Sequence, residues 1–230
     1  MSQIKMFGCI PRRPDISKQY FHDHWRHPHG TLGRRISTFR GYVQSHQIHS
    51  ELLGPDQTRF EGCAEVWFDN VSDAATFPSE PIYMRDIIPD EPLFVDMPKL
   101  RFAFTHEEVL VSGPDLREKI SDGNAAWRTD NRPVSVKLLQ FIIEANGDSP
   151  WDTNEDALLG RRIGALRHVR CRPVAELHPE GSFVVGIREL WWPTQWDMEH
   201  GIAADSIAWQ ELLNRPARAN AFVANAERFI

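Results

Sequence analysis

The apolar positions fall into short runs of two different periods. Ile4 to Ile10 is a dense run of apolar and β-compatible side chains stopped at Pro11, which predicts a buried strand. After Arg12-Arg13-Pro14-Asp15-Ile16, Ser17 is placed to cap a helix on which Tyr20, Phe21, His24, Trp25, His29 and Leu32 recur at helical spacing, with a break or kink expected at Pro28. Gly41-Tyr42-Val43-Gln44-Ser45-His46 and Cys63-Ala64-Glu65-Val66-Trp67-Phe68 alternate with period two, as strands do. A helix from Val71 to Asp86, interrupted by Pro78 and Pro81, and a strand at Arg101–Thr105 complete the order β-α-β-β-α-β. That order is ferredoxin-like.

The plan then returns. Val136–Ile142 echoes Ile4–Ile10, and Asp156 to Arg170 reads as a helix with Leu158, Leu159, Ile163 and Leu166 as its apolar stripe. Gly62 to Phe68 and Gly186 to Trp192 share a Gly, a Glu three residues on and a closing aromatic pair. Between the halves, Ser112 to Arg132 is rich in Gly, Asp, Asn and Ser and is bracketed by Pro114 and Pro133, as a linker with one short helix would be. The expected division is a first repeat at 1–111, a linker at 112–133 and a second, degenerate repeat at 134–230. A four-stranded sheet with helices on one face leaves its other face apolar and bare. Two such sheets in one chain cover each other, so the fold class is α+β, with tandem ferredoxin-like repeats forming a pseudo-dimeric α/β barrel within the chain. The pocket is expected between the two sheets.

Composition narrows the function. With 26 Lys and Arg against 32 Asp and Glu, the chain carries no basic footprint for a nucleic-acid backbone. No apolar run approaches the length of a membrane span or the core of a signal peptide, which points to a cytoplasmic protein with a small-molecule partner and leaves a homodimer open. Cys9, Cys63 and Cys171 are odd in number and widely spaced, as free thiols are. Phosphate-loop, dinucleotide and nucleophile-elbow motifs are missing.

One stretch is more specific. Arg12-Arg13-Pro14-Asp15-Ile16-Ser17, then Phe21, His24-Trp25 and His29-Gly30, resembles the opening signature of the EthD family. The resemblance runs through residues 4–46 and thins toward residue 104; the second half matches in architecture and lacks counterparts of His24-Trp25 and His29. The family consists of dimeric α/β barrels without an obligatory cofactor. It is similar to the muconolactone and methylmuconolactone isomerases of aromatic-compound catabolism, and fungal polyketide dehydratases carry the same domain. Carried over, the resemblance implies His29 and Tyr42 as catalytic residues, with His49 or His46 and Cys63 lining the site.

Each residue also has a plainer reading. His29 can exchange a proton near neutrality, or simply cap a helix end. Tyr42, Gln44 and His46 alternate onto one surface, where the phenol could stabilise an enolate or rest in the core. Cys63 is a pocket thiol or a small core residue. Glu65 could transfer a proton if buried, although its repeat in Glu189 favours a structural role. His22, His24, His27 and His29 invite a metal reading, but regular helix geometry places them on different faces, so no metal is expected. Arg13 belongs to the family motif and could bind substrate or fix its loop. The function expected is a cofactor-independent isomerase moving a proton on a small carboxylated lactone or unsaturated oxo-acid. Its site is His29 and Tyr42, with His24, Trp25, His46, His49, Cys63 and Arg13 binding substrate. Alternatives are a dehydratase or decarboxylase and a barrel that binds a ligand without turnover.

Overall fold

The computed structural model describes residues 3–112, 134–147, 151 and 153–230. The expected linker therefore lies outside the described residues, except for Ser112. Eight antiparallel strands, β1 (Ile4–Ile10), β2 (Gly41–Ile48), β3 (Gly62–Phe68), β4 (Arg101–Ser112), β5 (Val134–Glu144), β6 (Arg167–Pro173), β7 (Gly186–Trp192) and β8 (Arg218–Arg228), close into one barrel in the order β1-β3-β2-β8-β5-β7-β6-β4. The halves join through β2 with β8 (Val43 opposite Arg228) and β4 with β6 (Thr105 opposite Pro173), so no sheet edge is left open. No helix among the described residues is long and apolar enough to cross a membrane.

Alternation along each strand sorts the side chains onto two faces. Phe7, Cys9, Cys63, Leu139, Phe141, Val169 and Phe222 point inward and form one buried cluster. Beside them, also inside, lie four charges: Lys5 Nζ is 3.0 Å from Glu65 and pairs with Glu189, while Lys137 Nζ pairs with Glu65 and is 3.1 Å from Glu189. All four are at most 1 % exposed. Lys5 sits 4.4 Å over the Trp67 ring and Lys137 sits 4.2 Å over the Trp191 ring. Among the described residues the interior is thus filled by buried side chains, as in other barrels of this size, and the cavity beside His29 lies outside it rather than between the sheets as expected.

The outward face packs under helices, and two expected helices end early. The one begun at Asp156 spans Asn154–Arg162, because Gly164 adopts a φ of 75° that turns the chain into β6. The one expected over Val71–Asp86 is Val71–Thr76 followed by short turns as far as Leu93, where Pro78, Pro81, Pro89 and Pro92 each remove a backbone donor. Ser17 caps the first helix, Lys18–His24, by accepting from Tyr20 N. The chain then passes Pro28 in a π turn, Trp25–His29, before a last turn at Gly30–Gly33.

Candidate functional site

A cavity of about 60 Å³ lies between the outer face of the first-half sheet and its helical layer. Met6, Ile10, Val66 and Phe102 form its floor, His29 and Ile36 one wall, and Tyr83, Glu91 and Phe94 the other. The walls are apolar apart from a few convergent polar groups, the usual character of a small-molecule site.

His29 owes its place to the π turn. At 3.6 residues per turn, His24 and His29 would lie about 140° apart around the helix. The wider i to i+5 turn at Pro28 brings both onto one carboxylate. His29 Nδ1 is 2.8 Å from Asp90 Oδ2, and His24 Nε2 is 3.0 Å from Asp90 Oδ1. Burial would raise the Asp90 pKa, but the hydrogen bonds and charges of His29 and His24 outweigh it and hold the carboxyl below its usual value. As a carboxylate, Asp90 accepts the Nδ1 proton of neutral His29 and leaves Nε2 as the basic nitrogen.

Asp90 and Glu91 sit in the proline-cut stretch, which is fastened to the strand-one loop. Arg13 N donates to Phe94 O at 3.0 Å, Arg13 Nη1 donates to Pro92 O at 3.0 Å, and Asp96 N donates to Pro11 O at 2.9 Å. Arg13 is paired with Asp15 on the surface and acts on this loop rather than lining the cavity. Glu91 accepts from the Tyr83 hydroxyl at 3.2 Å, and burial raises the pKa of its carboxyl. Burial also raises that of Tyr83.

The other expected residues are dispersed. The Tyr42 ring lines the cavity, but its hydroxyl accepts from Gln44 Nε2 at 2.7 Å, and burial pushes its pKa well up. Gln44 also donates to Trp25 O at 2.8 Å. His46 continues this chain, 3.0 Å from Gln44 and 2.9 Å from His22, behind the Trp25 ring; burial, then the charges of Arg26 and His22, lower its pKa to about 2. Trp25 is a core residue whose ring fills the notch left by Gly62, where a Cβ would come within 2.3 Å. His24 contributes through Asp90. Two residues lie elsewhere. The His49 side chain is 62 % exposed and paired with Glu51, and Cys63 points into the barrel interior because it alternates with Ala64. Glu65 belongs to the interior quartet. The four histidines do not surround one point: His22 is drawn to His46 and Glu61, and His24 and His29 to Asp90. The grouped donors Glu107, Cys171 and Glu189 already have the Lys5 ammonium against both carboxylates.

Asp90, Glu91 and Tyr83 were not reached from the sequence. Asp90 is 61 positions from His29, and no spacing rule links a helix to a loop at that distance. The one available signal was two adjacent acids inside an otherwise apolar, proline-rich stretch.

Residues 13–98 match the EthD domain model. No curated protein matches the sequence. Among solved structures, an anthrone oxidase-like protein shares the fold at TM-score 0.55 and 10% identity, over 99% of this chain and 91% of its own. A protein assigned provisionally as a monooxygenase from Fusobacterium nucleatum does so at 0.52 and 9%, over 100% and 93%. One assigned provisionally as a chlorite dismutase does so at 0.50 and 9%, over 99% and 95%. Identities this low establish the fold alone. These neighbours are described by oxidative activities and none as a muconolactone isomerase, which overturns the expected cofactor-independent isomerase of lactones and oxo-acids. Within the site, the hydroxyl expected to stabilise an enolate is tied into the Gln44 chain.

Proposed function

We propose that the chain oxidises a small, mostly apolar ring compound with dioxygen, using His29 as the base. The carrying observation is the His29 imidazole on the wall of an apolar cavity with its Nδ1 fixed by the Asp90 carboxylate. Such a base suits a substrate whose C–H is acidified by a neighbouring carbonyl. His29 Nε2 takes the proton, the carbanion gives electrons to dioxygen and forms a C–O bond, and His29 returns the proton to make a hydroperoxide. Loss of water then leaves a carbonyl, so that one ring methylene and one dioxygen become one ketone and one water. The oxidative names carried by proteins of this fold make this the reaction class to test first.

Haem, which the chlorite dismutase fold raises, does not fit the described residues. At His29 the Nδ1 nitrogen is taken by Asp90, and the buried Phe94, Ile87 and Val95 close the cavity beside it. In the second half, His168 is packed so closely that a Cβ on Gly160 would lie 3.0 Å from its Nδ1 and 3.2 Å from Leu190. Burial, then the charges of Arg188 and Arg170, hold the His168 pKa down to about 3.

We also infer that the chain is a duplicated half. Strand order β4-β1-β3-β2 is answered by β8-β5-β7-β6. The Trp25 ring over Gly62 is answered by Trp151 over Gly186, and Tyr42 against Gly33 by His168 against Gly160. In the second half Trp192 and Trp209 belong to the core packed under the helices.

Oxygen uptake and incorporation of labelled dioxygen, measured with a panel of benzylic ring ketones and hydroxynaphthalenes, test the proposal. His29→Ala should lose about 10²- to 10⁴-fold in rate, the usual contribution of a general base. Equal rates in the two proteins, or no uptake with any panel member, would refute it.

A further inference from the structure

The cavity holds a second polar feature that the base does not use. Glu91 lies in its wall with one side-chain hydrogen bond among the described residues, from the Tyr83 hydroxyl to Oε1. The second carboxyl oxygen has no protein partner among them. That oxygen keeps some access to solvent, so a ligand hydroxyl entering the cavity would take the place of water on it. Tyr83 holds the carboxyl in place from the same wall, eight residues back. Phe94 and Ile87 line the same cavity.

We propose that Glu91, oriented by Tyr83, is a specificity anchor that selects ligands bearing a hydroxyl group on an apolar ring. A hydroxyl both donates and accepts, so it matches the carboxyl whether the acid is ionised or protonated. The apolar walls disfavour a cationic ligand, which would have to shed its hydration to enter. A site built around a hydrogen bond rejects the analogue that lacks the hydroxyl, because the anchor is then left unpaired. This selectivity rests on the cavity being the ligand site and is independent of whether the ligand is oxidised. The raised carboxyl pKa agrees with the placement but does not carry it.

Phenol and toluene have nearly the same shape and differ at the relevant atom. Their binding is read by NMR titration of the intact chain, using the Met6 and Ile36 methyls, which line the cavity, as reporters. Phenol should bind the wild type about tenfold more tightly than toluene, the worth of one net hydrogen bond. In Glu91→Met that preference should fall to about one, with the toluene affinity kept or improved. Glu91→Ala serves in the same role should the methionine lower the melting temperature sharply. A wild type that binds both equally, a variant that retains the tenfold preference, or ligands that leave the two reporters unshifted would each overturn the proposal. Absence of oxygen uptake would count against the oxidation and leave this binding result standing.

Discussion

Replacing Lys137 with Met tests whether the barrel is held in register by its interior charges. Inside, Lys5 and Lys137 face Glu65 and Glu189, and the partly exposed pair Arg167 and Glu107 extends the set from Lys5, giving three charges of each sign. Lys137 touches Glu65 from the other half and Glu189 from its own, so its loss leaves two fully buried carboxylates sharing Lys5. Breaking a buried charge set on one side costs about 3–5 kcal/mol, whereas removing a matched pair can be nearly neutral. The expectation is a loss of that size for Lys137→Met, against a total stability of about 5–15 kcal/mol for a domain. The double variant Lys137→Met with Glu65→Leu should recover about 2 kcal/mol of it. Denaturant midpoints with unchanged slope provide the measurement.

The pH dependence has a defined sign. Burial alone would lower the Lys5 pKa and raise that of Glu189; the opposing charges win, placing Lys5 well above and Glu189 well below their ordinary values. The Glu189 contribution is therefore present above its unfolded value of about 4.3 and is lost as pH falls through the folded one. The Lys5 contribution is present below about 10.4 and is lost as pH rises through the folded value. Wild type should thus lose stability on acidification more steeply than Lys137→Met. A cost under about 1 kcal/mol for the single change, or a double change costing the sum of the two, would refute the reasoning.

Other outcomes can be checked by the same means. Gly62→Ala places a Cβ 2.3 Å from the Trp25 ring and 3.1 Å from Ser45 O, so thermal denaturation should show a loss of about 1–3 kcal/mol, and Gly186→Ala, aimed at Trp151, a similar one. Tyr42→Phe removes the partner of Gln44 Nε2 but leaves its bond to Trp25 O, so stability should fall by about 1 kcal/mol, while oxygen uptake changes less than tenfold because the hydroxyl is not a reacting group.

Much of the architecture was legible because it depends on local pattern. Period-two alternation in Gly41–His46 and Cys63–Phe68, helical spacing after Ser17 and the echo of Gly62–Phe68 in Gly186–Trp192 all record which side chains must be covered. The same local rules misplaced the end of the helix before β6, because the positive φ of Gly164 answers to the packing of Gly201 against it, a contact across the fold. Strand parity fixed that Tyr42, Gln44 and His46 share a face, but not that this face looks toward helices rather than into the barrel. Cys63, placed at the site by the family resemblance, instead takes the plainer role of a small core residue inside the barrel.

The site itself was decided by tertiary structure. His29 was visible as an imidazole at a helix end beside Pro28, yet its meaning depends on a π turn that swings His24 and His29 toward one carboxylate. That carboxylate meets His29, and Glu91 beside it reaches the cavity, because Arg13 and the strand-one loop clamp the proline-cut stretch over the sheet. Hydrophobic periodicity reports the burial of each segment singly. The meeting of the His29 imidazole with the Asp90 carboxylate, beside a cavity that Glu91 lines, is a property of how the segments are stacked, and is set by long-range contacts that no single segment encodes.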